Sequence, residues 1–393
     1  MKVLQFVDNI ELYQSLGKGN YGEVFLSKKR GLPQFFATKK MDKKLYQNPQ
    51  FFKRLYNELN IIMMVKHPNI VKYEDFKISQ NNFYLVTEYI NGGSLKSNLI
   101  RYMSIYRKPF SEEIVQYLMR QIVDVVKYLH FNNIIHRDLK LDNVLVNYPS
   151  EYDRQKVNLL SCQIKLIDFG FATILKNNQK LAFTVLGTPN NMDPKILAVI
   201  NNEGPNMGYN EKVDIWSLGT LCYEMVVGCS PFRAQNVKDL YQKVQKGNYI
   251  MPSTLSDEIV SFIDSMLQQD SNKRSNAEQL INHKFLTNPV NTFHAVNVKH
   301  IKASYLPGGL LNMKSKQPEV IQNANFNYWG IFTQPEIYYG NVQQVVPVQV
   351  QPQPQPKIQP KMQMQNAQPQ YIAQKQQQNV YYNQPQVNYA NYY

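Results

Sequence analysis

The stretch IIHRDLKLDNVLV, residues 134–146, places His136, Arg137, Asp138, Lys140 and Asp142 between two apolar runs. Ile134 and Ile135 on one side and Val144 to Val146 on the other read as short buried strands, so the charged loop stands on rigid shoulders. Charge clusters usually just face water, and a solvated turn is the plain alternative. Loops held on rigid elements are, however, where binding and catalysis concentrate.

A chain of 393 residues with 43% hydrophobic content is long enough for two or more domains with ordinary cores. Cys162, Cys222 and Cys229 show no CxxC spacing and are too scattered for a disulfide framework or a zinc site. A reducing, cytoplasmic setting is the expectation. The start MKVLQFVDNIELY has too short an apolar run for a signal peptide, and no transmembrane segment is expected. The net charge of +14 is spread out: residues 1–287 hold 36 Lys+Arg against 27 Asp+Glu, and 288–393 hold 7 against 2. No dense basic block or aromatic-interleaved basic surface follows from this, which argues against nucleic acid as a partner.

Composition changes near Leu286. Beyond Gln343 the chain is dominated by Gln, Pro, Asn and Tyr without one acidic residue, and such a segment cannot offset its ordering entropy by burial. PVQVQPQPQPKIQPK favours extended polyproline II. We expect residues 288–393 to be a mostly disordered tail and 1–287 to be the folded part. Within the latter, ELYQSLGKGNYGEVFLSKK alternates on both sides of a glycine turn, and FFATKK and NNFYLVTEYI add further strands. One helix interrupts them, opened by Pro49, with Leu55, Leu59, Ile62 and Met63 at helical spacing. From Ser111 helices dominate, starting with a Ser-capped segment that stops at Asn132 and Asn133. The fold class is α+β, with a small β-rich lobe over about 1–88 and a larger helical lobe over about 92–287.

The chemistry starts in GKGNYGEV. Gly17, Gly19 and Gly22 let backbone N–H groups approach phosphate oxygens that a Cβ would keep away. A plain hairpin uses glycines too, and a dinucleotide-binding unit would need a helix where EVFLSKK continues as strand. Lys39 ends a β pattern, and Glu58 on the Pro49 helix is its candidate partner; alone, each would be an ordinary surface charge. Asn143, five residues after Asp138, and Asp168 in KLIDFGFA supply hard oxygen ligands suited to Mg²⁺ held together with phosphates. Asp138 is then left to receive a hydroxyl proton, a set suited to phosphoryl transfer.

GKGNYGEV, FATK, Glu58, HRDLKLDN, DFG and DIWSLG together resemble the eukaryotic protein kinase family, over roughly residues 10–287. The resemblance implies the bilobal kinase fold, with ATP and Mg²⁺ as cofactors and proteins with Ser/Thr acceptors as substrates. It implies an ATP site made by Gly17, Lys18, Gly19, Gly22, Val24, Ala37 and Lys39, with Glu88 and Ile90 in the adenine hinge. Asp138 would be the catalytic base, Lys140 would steady the transferred phosphoryl, and Lys39 would pair with Glu58. Asn143 and Asp168 would bind the metal, and Asp214 would brace the catalytic loop. DLKLDN and the GTP containing Thr188 are similar to the Ser/Thr branch, with Thr188 positioning substrate. Arg137 before the catalytic Asp implies an activation loop ordered by a phosphate on Thr184.

The 30 residues between Asp138 and Asp168 include an extended connection, NYPSEYDRQKVNLLSCQ. Together with EYINGGSL and DFGFA, it resembles the autophagy-initiating, ULK-like subgroup. Two alternatives stand beside the active kinase: a kinase-shaped pseudoenzyme, and a scaffold acting through proteins that bind its tail. Ser94 stands where kinases selecting basic substrates often carry an acid, near Lys96, Arg101, Arg107 and Lys108, so an upstream arginine should not be preferred; Asp142 is a counterweight. Finally, MDPKIL departs from the family pattern. Lys195 stands where a glutamate usually pairs with the arginine matching Arg274, so Asp193 or Glu278 is expected to take over that arginine while Lys195 extends to solvent. Lys195→Glu is expected to stabilise the protein.

Overall fold

The computed structural model describes residues 2–19, 21–175, 181–182, 187–201, 203 and 208–288. The expectations for Thr184 and for a disordered tail beyond Asn288 fall outside these residues. The first lobe is a six-stranded antiparallel sheet in the order β1-β2-β3-β4-β6-β5, made of β1 (Gln5–Val7), β2 (Ile10–Gly19), β3 (Gly22–Lys29), β4 (Phe35–Asp42), β5 (Tyr73–Ile78) and β6 (Asn82–Glu88). Ile10, Leu12, Phe36, Tyr84 and Val86 point to one side and form a small core. Ser27 and Thr38 are buried in β3 and β4, and each is satisfied by the other across 2.7 Å.

Helix α1 (Pro49–Met64) begins as expected: Asn48 Oδ1 accepts from the Gln50 N–H at 2.9 Å, and Pro49 occupies the first turn, where no N–H is needed. Its inner face is Leu55, Glu58, Ile61 and Ile62. Met63, expected inside by spacing, is 49% exposed, because the inner stripe runs through Glu58 instead. A carboxylate on the buried stripe requires a partner.

The second lobe is helical. In α3 (Glu112–Phe131) Ser111 caps the start and Asn132 ends it; Asn133 turns away at φ 58°. Helix α6 (Lys212–Val227) is buried on nearly all sides, with Trp216 stacked 5.6 Å from Phe232. Two short antiparallel pairs carry the charged loop: β7 (Ile134–Ile135) with β10 (Thr173–Ile174), and β8 (Val144–Asn147) with β9 (Gln163–Leu166). The rigid shoulders of residues 134–146 are thus strands, as read.

The long connection after β8 carries its own short helix. Ser150 caps a short helix, α4 (Glu151–Lys156), and Val157, Leu159 and Cys162 are buried behind it. Arg101 of α2 (Leu95–Tyr106) donates to the carbonyls of Arg154 and Gln155, each at 2.9 Å, and so satisfies the end of α4. Ordering this segment therefore needs α2, which lies far from it in sequence.

Candidate active site

The sheet, α1 and the chain at Ile167 and Asp168 border a cleft lined by Gly17, Gly19, Gly22, Val24, Ala37, Lys39, Glu58 and Asp168. The glycine turn depends on Gly22: its φ is 149°, and a Cβ there would lie 2.3 Å from the Lys40 carbonyl oxygen. Any side chain would push β3 off β4. Opposite, Lys39 Nζ donates to both carboxylate oxygens of Glu58, at 3.0 and 3.1 Å. Burial by itself would lower the Lys39 ammonium, but Glu58 and Asp168 outweigh it and hold it raised. Burial pushes the Glu58 carboxyl up, opposed chiefly by Lys39.

The loop is fixed from beneath by Asp214, in the first turn of α6. Its carboxylate accepts the backbone N–H groups of His136 (2.9 Å) and Arg137 (2.8 Å) and pairs with His130 Nε2 at 2.9 Å. Burial would raise this carboxyl, but the His130 hydrogen bond and the other donors hold it below the usual range. These bonds hold Arg137 in the left-handed region at φ 68°, and Asp168 sits there too, at φ 62°. Non-glycine residues adopt that conformation only where their surroundings enforce it.

Three side chains meet at Asp138. Its Oδ1 accepts from Thr188 Oγ1 at 2.7 Å, its Oδ2 accepts from Asn143 Nδ2 at 2.9 Å, and Lys140 Nζ lies 3.0 Å from Oδ2. Lys140 also donates to Thr188 Oγ1 at 2.7 Å. The Ile167 N–H donates to the Asn143 carbonyl at 2.9 Å, tying the loop to the strand that delivers Asp168. Asn143 Oδ1 is buried with no hydrogen-bond partner among the described residues. An orphaned buried carbonyl oxygen beside an aspartate is a donor set for a hard cation completed by phosphate oxygens.

Other expected residues lie elsewhere. Lys18 is exposed on the glycine turn, Ile90 is packed in the core of the helical lobe, and the Glu88 carboxylate accepts from the Lys72 N–H and pairs with Lys165 at 2.7 Å. None of these three lines the cleft with its side chain. Conversely, Tyr21, Ile62, Val71, Leu85, Thr87 and Ile167 do line it and were not singled out from sequence. Leu85 and Thr87 lie in β6, Ile62 in α1, and Tyr21, Val71 and Ile167 in connections, so no one periodicity marks them and only the closed fold tells cleft from core.

Arg274, 2% exposed, pairs with Asp193 and rests on the Trp216 ring at 5.0 Å. Glu278 pairs with Lys127 at 2.7 Å instead, and the exposed Lys195 donates to Ser271 Oγ at 2.9 Å. Of the two candidates for the arginine, Asp193 holds it. The expectation that Lys195→Glu would stabilise the chain loses its premise, since no cation waits for that carboxylate. Near Ser94, which caps α2, Lys96 forms an ion pair with Glu224 and Arg101 is turned onto α4.

A model of the protein kinase domain matches residues 10–286. The probable serine/threonine-protein kinase fhkC of Dictyostelium discoideum is 32% identical over 71% of this chain and 44% of its own length. The serine/threonine-protein kinases PLK4 of Drosophila grimshawi and Aedes aegypti are 33% and 31% identical over 71% of this chain and 34% and 33% of theirs. The chain spans less than half the length of these curated relatives.

Proposed function

Because this chain belongs to the protein kinase family, we propose that it is an ATP-dependent serine/threonine kinase acting on protein substrates. The observation that carries the reading is the convergence of Lys140, Thr188 and Asn143 on the Asp138 carboxylate. A substrate hydroxyl would take up the hydrogen bond that Thr188 now makes to Asp138 Oδ1. Asp138 accepts its proton as the new oxygen–phosphorus bond forms and the bond to the β-phosphate bridging oxygen breaks, releasing ADP. Lys140 lies where it can neutralise charge on the phosphoryl in flight. Glu58 aims Lys39 at the nucleotide phosphates over the glycine turn. Asn143 Oδ1 and the Asp168 carboxylate would hold Mg²⁺, which when bound neutralises phosphate charge.

In this reading residues 1–287 form the catalytic domain, Asp214 and Arg274 are structural supports, and the backbone of 88–90 provides the adenine hinge. Radiolabelled ATP with a generic basic protein is expected to give phosphoserine or phosphothreonine with the native chain and none with Asp168→Ala. Equal labelling by both would refute the assignment.

Substrate choice follows from Lys96. Because Lys96 already neutralises Glu224, and burial raises the Asp142 carboxyl, an upstream arginine finds no open acid there. A peptide array is expected to show no dominant upstream-arginine requirement, and Lys96→Ala is expected to introduce one. A strict arginine requirement in the native chain would contradict this.

The narrower assignment to autophagy-type signalling draws on the long 147–163 connection; the relatives named above carry other names. Among the described residues no helix is long and apolar enough to cross a membrane. Proteins that bind the tail would be found by comparing the partners of the full chain with those of residues 1–288.

A further inference from the structure

Arg137 has its backbone locked by Asp214, so its side chain leaves the loop in one direction. There the guanidinium donates to the carbonyls of Phe171 and Ala172 (3.2 Å for the latter) and to the Tyr209 hydroxyl at 3.0 Å. Tyr209, 6% exposed, lies just before α6. Its main chain forms a two-bond bridge with Ala182: the Ala182 N–H donates to Tyr209 O at 2.7 Å, and the Tyr209 N–H donates to Ala182 O at 2.8 Å. Ala182 belongs to the segment that runs on to Thr188, whose hydroxyl touches Asp138. One residue thus meets the catalytic loop through its hydroxyl and Ala182 through its backbone.

We propose that Tyr209 is a positioning residue that anchors Phe171, Ala172 and Ala182 to the catalytic loop, through Arg137, without a phosphate. Arg137 is 8% exposed, so its charge depends on fixed acceptors rather than water, and the Tyr209 hydroxyl is one of them. With that acceptor in place the guanidinium holds Phe171 and Ala172 while the Ala182 bridge holds the other arm. The inference rests on the proposed kinase activity and adds to it a basal, phosphorylation-independent state of the same site.

The test uses the full chain carrying Thr184→Ala, so that no phosphate can occupy that position. This protein is expected to retain measurable turnover. Adding Tyr209→Phe should lower kcat/KM for the protein substrate about 10-fold while leaving KM for ATP within about 2-fold, the loss expected for one hydrogen bond to a buried cation. In a chain that also carries Arg137→Ala, Tyr209→Phe should have no further effect, because its lever is gone. An inactive Thr184→Ala chain, a Tyr209→Phe loss under about 2-fold, or the same loss with Arg137→Ala present would each overturn the proposal. Limited proteolysis gives a readout that needs no turnover: Tyr209→Phe should speed cleavage within residues 172–188, and unchanged cleavage would overturn the anchor. If the unsubstituted chain transfers no phosphate at all, the kinase reading fails, and proteolysis still decides the anchor.

Discussion

Lys39→Met and Asp138→Asn are each expected to lower phosphoryl transfer by about 10²–10⁴-fold, with secondary structure unchanged. The two losses have different causes. Asp138→Asn replaces the carboxylate whose Oδ1 faces Thr188 and whose Oδ2 faces Asn143 and Lys140 with an amide, which cannot take up the hydroxyl proton. Lys39→Met removes the ammonium that Glu58 holds over the cleft at 3.0 Å and leaves that carboxylate buried alone. A second signature follows. With Lys39 gone, only burial and Asp168 act on Glu58 among its main influences, and both push its carboxyl further up. A carboxyl whose folded pKa lies above its unfolded value holds its proton more tightly in the folded state, so Lys39→Met should lose stability as pH rises above about 4.3. Melting curves at pH 4.5 and 7.5 measure this. Turnover equal to the native chain in either variant would sink the assignment, and a pH-independent melting difference would show that Glu58 finds another partner.

The second large effect is structural. Asp193→Ala is expected to destabilise the chain by about 3–5 kcal/mol, because it strips a buried guanidinium of its carboxylate. The Trp216 face and the carbonyls of Gln268 (2.6 Å) and Lys212 (3.0 Å) remain, which places the loss toward the lower end. A fall of roughly 5–10 °C in melting temperature is the corresponding reading for a domain of this size. Lys195→Glu, in contrast, should change stability by less than about 0.5 kcal/mol, since Lys195 is exposed and gives up only its contact with Ser271. Asp193→Ala melting like the native chain while Lys195→Glu melts clearly higher would mean that position 195, not 193, faces Arg274.

That pair shows where reading from sequence stops. From sequence, Lys195 departs from the usual acid at this position, and both Asp193 and Glu278 are open as partners for Arg274. The choice depends on two segments 81 residues apart and on which carboxylate the turn before α5 (Pro194–Ile200) directs inward. Asp193 caps that helix, its Oδ1 accepting the Lys195 N–H at 2.7 Å, and the same geometry presents Oδ2 to the arginine. Similarly, the 147–163 connection has few apolar residues in regular spacing, and its order comes from Arg101 and Tyr106 of α2 supplying donors to the end of α4.

The two lobes, the strand-then-helix order, the caps at Asn48 and Ser111, and the charged and polar residues Lys39, Glu58, Asp138, Lys140, Asn143 and Asp168 are legible along the chain. These depend on short-range periodicity, capping and the few side chains able to do the chemistry, all of which are written locally. The closed fold selects which acid holds Arg274, sets Lys96 on Glu224, turns Glu88 to Lys165 and brings Tyr209 to Arg137. Each of those is a choice of partner for a charge poorly served by water. The strength of such a pairing is set by distance and burial once the chain has closed, and neither quantity exists along the sequence.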